Sequence, residues 1–247
     1  MVDFSIVTAV KFAEKTILRT IKSVMNQTFK NYEHIVVCHF DDNKSANIIK
    51  NFKNKKINLI ISKDNNPYEA MNIGIKNAKG NFITFLNADD IFKDNKVLEN
   101  VKKNNIDSPN IDSFYGDIEI IKNKKIFRKW ISGDFSVNKF FIGWHPPHPS
   151  LFIKRKIFEK NGNFDTNFNI AADYELMIRY FVNKKVSAKY IKNTFVKMNH
   201  GGLSSKNLWS IFLSNLESVL AWKKNGYNFL FYIVIMKPIS KIIQLLR

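Results

Sequence analysis

The chain has 247 residues, 45% of them hydrophobic and 24% charged, enough to bury a sizeable globular core. Its 39 basic against 21 acidic residues leave a formal charge of +18, which bears on partners rather than fold and suits nucleic acid, an anionic membrane face or phosphate-bearing substrates. No basic stripe interleaved with aromatics and no helix-turn-helix, zinc-finger or RNA-recognition pattern accompanies it, so nucleic acid is not the expected partner. Cys38 is alone, which removes a disulfide framework and a CxxC metal pair and favours a reducing compartment.

Phe4 to Val10 reads as a buried strand. No basic region followed by an apolar segment precedes it, which predicts a cytoplasmic domain. Lys15 to Met25 carries Ile17, Leu18, Ile21 and Val24 at helical spacing, with Thr16 as a cap. Tyr32 to His39 is the next β-rich run, Ser45 to Phe52 a helix, Ile57 to Ile61 a third strand and Tyr68 to Ala78 a third helix. This alternation predicts an α/β domain with a doubly wound sheet and ligands at the carboxyl ends of its strands.

The next strand begins at Phe82 and delivers Asn87, Asp89 and Asp90 to its carboxyl end. Carboxylates gathered where a buried strand emerges hold Mg²⁺ or Mn²⁺ against a phosphate. The competing reading makes Asn87 the cap of a following helix and the two aspartates its first-turn charges.

After Asp107-Ser108-Pro109 the pattern changes to short β-like runs at Ser113 to Ile121 and Lys125 to Trp130. A Pro-rich stretch from Trp144 to Pro149 leads to Ser150 to Ile153, then to helices starting near Lys156 and spanning Ala171 to Phe181, with Asp173 in a first turn. From Asn207 to Trp222, Trp209, Phe212, Leu213, Leu216, Val219 and Leu220 form one apolar helical face, expected in the core or at an interface. The apolar run Phe229 to Met236 is too short for a bilayer, which takes about 20 apolar residues. It reads either as an interfacial helix with Lys237, Lys241 and Arg247 at lipid head groups, or as a helix packed on the domain or a second subunit.

In order, Phe4 to Ala9, Ser23 to Thr28, Tyr32 to Val37, Asp64 to Gly74 and Phe85 to Asp90 resemble the GT-A glycosyltransferases of family 2. His148-Pro149-Ser150, Gly162 to Asp165 and Ala171 to Tyr174 resemble those members that build bacterial surface polysaccharides. The resemblance covers residues 3–100 well and 145–205 in pieces. It implies a GT-A catalytic domain over residues 1–205, split into a nucleotide-sugar half (1–105) and an acceptor half (106–205), with a helical region over 206–247. The implied sheet is mixed and mostly parallel, flanked by helices.

The implied activity is inverting, metal-dependent transfer of a hexosyl or N-acetylhexosaminyl group from a nucleotide-sugar, with UDP as the expected nucleotide, to a glycan or lipid-linked acceptor. Asp89 falls on the metal-binding carboxylate of the family's Asp-X-Asp motif, with Asn87 at the first Asp and Ala88 between them. Thr8, Ala9 and Val10 match the base cradle, Asp64 a uracil or ribose contact, and Tyr68, Ala70, Asn72 and Gly74 the helix beside the diphosphate, with close helix packing the equal alternative for Gly74 and a surface amide for Asn72. Asp173 matches the base that takes the acceptor proton. His200 matches a late metal or diphosphate contact on a flexible loop. His34 reads as structural, while His145 and His148, flanking prolines on the expected acceptor side, are explained as readily by loop rigidity as by chemistry.

One segment departs from the family pattern. Cys38 to Asn43 stands where Asp-Gly-X-Ser-Thr-Asp is usual, so Asp41 or Asp42 replaces the missing acid only if the loop is re-formed. The rival expectation is therefore a degenerate relative that binds nucleotide, or serves as a scaffold, without turnover. Charge and tail together predict a protein peripheral to an anionic membrane.

Overall fold

A computed structural model describes residues 2–201 and 208–228. Its first half alternates β1 (Phe4–Val10), α1 (Ile17–Met25), β2 (Tyr32–His39), α2 (Asn43–Lys50), β3 (Ile57–Ser62), α3 (Pro67–Asn77) and β4 (Phe82–Phe85). Then come β5 (Ile91–Phe92), α4 (Val97–Asp107), β6 (Ser113–Lys122), β7 (Lys125–Trp130), β8 (Phe152–Lys154), α5 (Arg155–Asn161) and α6 (Ala172–Met177), which runs on as a π-helical stretch over Ile178–Asn183. β9 (Ala188–Asn199) and α7 (Leu208–Lys224) complete the described chain.

One mixed, mostly parallel sheet runs in the order β3-β2-β1-β4-β8-β6-β9-β5, with β7 paired to β6. Strands β1 to β4 are mutually parallel, so their carboxyl ends share one edge. Beyond β4, β8 pairs antiparallel with both β4 and β6. Alternation along β1 feeds both faces: Phe4 and Ile6 join Phe82, Phe114, Phe152 and Phe195 on one side, while Val7 joins Phe85, Tyr115, Phe158 and Phe181 on the other. Among the described residues no helix is long and apolar enough to cross a membrane. The expected tail helix over Phe229 to Arg247 lies outside the described residues.

Local chemistry explains where the elements start. Asn66 caps α3 by accepting from the Tyr68 and Glu69 amides, and Pro67 takes the first turn, where its missing N–H costs nothing. Asp42 caps α2 through the Ser45 amide, so that helix begins at Asn43 rather than Ser45. Thr16 makes no side-chain cap to α1; its hydroxyl turns back to the Ala13 carbonyl.

Three features differ from the sequence expectation. β9, unanticipated, lies between β6 and β5; register shifts beside Asp117 break the period that would reveal the pairing, and Lys and Asn residues interrupt its apolar pattern. α4 went unanticipated because only Val97, Leu98 and Val101 bury an apolar surface, with no side-chain cap. In α7 the buried residues are Glu217, Ser218, Ala221 and Trp222, while Trp209, Phe212, Leu216 and Leu220 are 68%, 57%, 46% and 45% exposed. The helix docks through a carboxylate and one indole, so its apolar stripe faces outward.

His34 is structural. Its ring is buried on β2, with Nε2 3.0 Å from the Thr8 hydroxyl and Nδ1 without a partner. Burial pushes its pKa down to about 3 from 6.5. The folded state therefore resists a proton that the unfolded chain accepts: His34's contribution is complete above pH 6.5 and is lost as pH falls from there towards 3. Urea denaturation between pH 6 and 4 is expected to show stability falling, with about 1.4 kcal/mol per pH unit due to this ring. His34→Gln should remove that part of the slope.

Candidate active site

At the carboxyl edge of the sheet lies a cavity of about 870 Å³, within the range of small-molecule sites. Ala9, Val10, Asp64, Tyr68 and Ala70 line one side and Asn87, Ala88 and Asp89 its floor. Arg128, Trp130, His145, Asp173, Tyr174 and His200, from the second half of the chain, also line it.

The chain leaves β4 through a tight turn in which the Asp90 amide donates to the Asn87 carbonyl at 3.1 Å. It enters β5, not a helix, so Asn87 caps nothing and the two aspartates are not helix-dipole charges. α1 holds this turn. The Thr20 hydroxyl donates to the carbonyls of Ala88 (3.0 Å) and Asp90 (2.7 Å), and Arg19 Nη2 to that of Asp89 (2.6 Å).

The two carboxylates divide the work. Asp90 is 1% exposed, accepts from Asn87 Nδ2 at 2.9 Å and from the Asn199 amide at 3.1 Å, and so ties the turn to the end of β9. Burial, and then the neighbouring Asp89, raise its pKa well above the usual carboxylate range. The Asp89 carboxylate is half-buried on the cavity and has no hydrogen-bond or ion-pair partner among the described residues. A free carboxylate of this kind fits a hard cation such as Mg²⁺ or Mn²⁺, which binds through one or two carboxylates and completes its shell with phosphate and water. His200 follows β9, its amide bonded to the Ile121 carbonyl at 2.9 Å and its ring 5.0 Å from Phe127.

Also on the cavity, Asp173 Oδ1 accepts from the Tyr174 amide at 2.8 Å and from Tyr68 Oη at 3.4 Å. The Tyr68 hydroxyl also donates to the Ile170 carbonyl at 2.6 Å, tying α3 to the loop before α6. From behind, the buried Glu217 of α7 accepts from three successive amides, Asn169, Ile170 and Ala171, at 3.0, 2.8 and 2.8 Å. Trp222 Nε1 donates to Tyr174 Oη at 3.0 Å. Asp173 thus rides on a loop held from two sides.

Three residues expected at the site are occupied elsewhere. Thr8 is fully buried against His34. Asn72 bonds both the amide and the carbonyl of Phe164, at 3.0 and 2.9 Å, beside a separate hollow of about 590 Å³. Gly74 lets α3 approach β1, because a Cβ there would lie 2.3 Å from Val7 Cγ1. Asp64 is on the cavity, with Oδ2 accepting from the Ser62 hydroxyl at 2.6 Å.

The Cys38 loop brings no acid to the cavity. Cys38 is buried, and burial pushes its thiol up to about 11. Asp42 serves as the α2 cap, and Asp41, 3.9 Å from His39 Nδ1, is mostly exposed. His148 stacks on Phe85 at 5.2 Å, and His145 lies 5.2 Å from the Tyr174 ring. Sequence reasoning missed Arg19, Thr20, Arg128 and Glu217. Only Glu217 carries a signal, as the one acid within the apolar run from Trp209 to Trp222.

A parallel first half joined to a mixed second half, with a carboxylate turn at the end of the fourth strand, is the arrangement of the GT-A fold. The chain belongs to glycosyl transferase family 2, whose model matches residues 5–185. Among solved structures it is similar to S. aureus TarS residues 1–349, at 13% identity and a TM-score of 0.72 over 96% of this chain and 70% of that one. The same segment in complex with UDP-GlcNAc gives 14%, 0.71, 96% and 71%. A longer S. aureus TarS structure gives 16% and 0.68 over 87% of this chain and 39% of that one. Comparison with curated proteins gives no match.

Removing Glu217 leaves three amides unpaired. Glu217→Ala is expected to destabilise the protein by about 3 kcal/mol, against under about 1 kcal/mol for its half-exposed neighbour in Leu216→Ala. Urea denaturation of both variants checks this, and equal effects would remove the clamp.

Proposed function

We propose that this protein is an inverting glycosyltransferase that moves a hexosyl or N-acetylhexosaminyl group from a UDP-sugar to a glycan or lipid-linked acceptor in the synthesis of a bacterial surface polysaccharide. The observation that carries this reading is that an unpartnered Asp89 carboxylate and Asp173 line one cavity. Similarity to TarS, solved with UDP and with UDP-GlcNAc, supports the donor class.

In this reading Ala9, Val10 and Asp64 receive the nucleoside, and Asp89 with His200 holds Mn²⁺ or Mg²⁺. When bound, the ion offsets the charge that builds on the departing diphosphate. Asp173 accepts the proton of the acceptor hydroxyl as its oxygen bonds to the anomeric carbon and the bond to UDP breaks on the opposite face. The Tyr68 hydroxyl and the Tyr174 amide keep that carboxylate oriented. Residues 1–105 act as the donor half and 106–205 as the acceptor half, while 229–247 bring the protein to an anionic membrane surface.

A non-catalytic nucleotide-binding role has its own support, because Asn87 bonds Asp90 and the Cys38 loop offers no acid. Thermal denaturation with UDP, with and without Mn²⁺, and product analysis separate the two. Wild type should be stabilised by UDP with Mn²⁺, and Asp89→Ala should lose the metal-dependent part. Asp173→Asn should keep the stabilisation while turnover falls about 10²-fold or more. Unchanged turnover in Asp173→Asn would reject it as the base, and binding without any transfer would establish the non-catalytic role.

A further inference from the structure

Strand β7 brings a cation to the cavity wall. Arg128, on β7, is half-buried; its Nε is enclosed without a hydrogen-bond partner, and no carboxylate pairs with its guanidinium among the described residues. Burial lowers its pKa from the ordinary value, yet guanidinium stays charged at neutral pH. A desolvated cation with no counter-charge is costly to keep. Two other half-buried cations are paired with carboxylates, Lys93 with Glu119 and Arg179 with Glu175.

Trp130 lies two residues along the same strand and so on the same face. Its Nε1 is likewise buried and unpaired, and its ring is 5.8 Å from the Arg128 guanidinium carbon. Two unsatisfied N–H donors from one strand therefore sit together on the cavity. From Trp130 the wall continues through His145, 5.3 Å away, to Tyr174, 5.2 Å further and adjacent in sequence to Asp173. A row of rings suits the apolar face of a sugar or polyol, with the cation at the end away from Asp173.

The rim extends the same charge. Lys122, Lys124 and Lys125 are exposed at the tip of the β6–β7 hairpin and make no ion pair among the described residues. Several cations around one guanidinium and one indole donor match an ester with several anionic or accepting oxygens better than a single carboxylate, which one guanidinium satisfies alone.

We propose that Arg128 and Trp130 form an acceptor subsite for a phosphate ester, carried by the acceptor next to the unit whose hydroxyl reaches Asp173. The subsite rests on the transferase reading above. The ester comes either from a phosphate-linked polymer or from the diphosphate of a lipid-linked acceptor, and the test separates these sources from the donor's own diphosphate.

Calorimetric titration is run on protein saturated with UDP and Mn²⁺, using glycerol 3-phosphate, farnesyl diphosphate and, as the neutral control, glycerol. A phosphorylated probe should bind and glycerol should not; preference for glycerol 3-phosphate indicates the polymer source, and for farnesyl diphosphate the lipid source. Arg128→Gln should weaken that probe by about tenfold or more, as expected for a lost charged hydrogen bond, with UDP affinity changed less than about twofold. Trp130→Phe, which removes the N–H and keeps a ring, should weaken it by a smaller factor. Retained UDP binding shows that both variants are folded.

UDP binding with no probe binding, or a loss of UDP rather than probe affinity in Arg128→Gln, would overturn the subsite alone. If wild type binds no UDP, the donor reading fails, and the probes are titrated without nucleotide. Binding that depends on Arg128 then still supports the subsite, and its absence overturns it.

Discussion

Everything in the cavity is placed by a short seam. β8 is three residues long, yet it lies antiparallel between β4 of the parallel half and β6 of the mixed half. Phe152 at its start is fully buried and packs edge-on against Phe4 and Phe195, 5.8 Å from each, rings drawn from the two halves. Burying such a side chain is worth about 2–3 kcal/mol. Just before it, the Ser150 hydroxyl donates to the Gly116 carbonyl at 2.8 Å, fixing the Pro-rich turn to β6. The sheet changes from parallel to mixed here, and the crevice opens where such a change in strand order leaves neighbouring loops apart.

Polar positioning follows a common rule on both sides of that crevice. In each case a deeply buried acid is consumed by amide N–H groups, and a nearby acid lines the cavity. Asp90 accepts from the Asn199 amide and Asn87, leaving Asp89 free. Glu217 accepts from three amides ahead of α6, leaving Asp173 at the surface of the cavity. Buried carboxylates satisfied by amides stiffen the loops that carry their neighbours, because each amide left unpaired would cost free energy.

How much of this is legible in the sequence depends on where the information lies. Strands β1 to β4 are continuous apolar runs with local turns, so pattern alone locates them, and the Asn87 to Asp90 turn follows from where the fourth run stops. β9 is not legible because its partner β6 lies some 75 residues earlier and the pairing is bulged. Motif matching also cannot tell a residue that lines a cavity from one that supports it. Thr8 sits one strand position from the cavity residue Ala9, and the alternation of faces turns it into the core, while Gly74 lies a turn beyond Met71, where α3 packs on Val7 of β1. The α7 stripe misleads for a related reason: apolar periodicity reports a face, while Glu217 and Trp222 decide which face docks.

The two ends of the sheet explain how a chain so rich in apolar residues keeps its strands to itself. β5, at one end, is two residues long and offers almost no template for another strand. β3, at the other, exposes one edge, with Ile61 49% exposed. Lys55, Lys56 and Lys63 flank it, so edge-on pairing with another chain would bring like charges together. The lysines that contribute to the high positive charge thus act here as gatekeepers against aggregation. Their neutralisation, by acetylation or high salt, would expose a strand edge that the native chain keeps solitary.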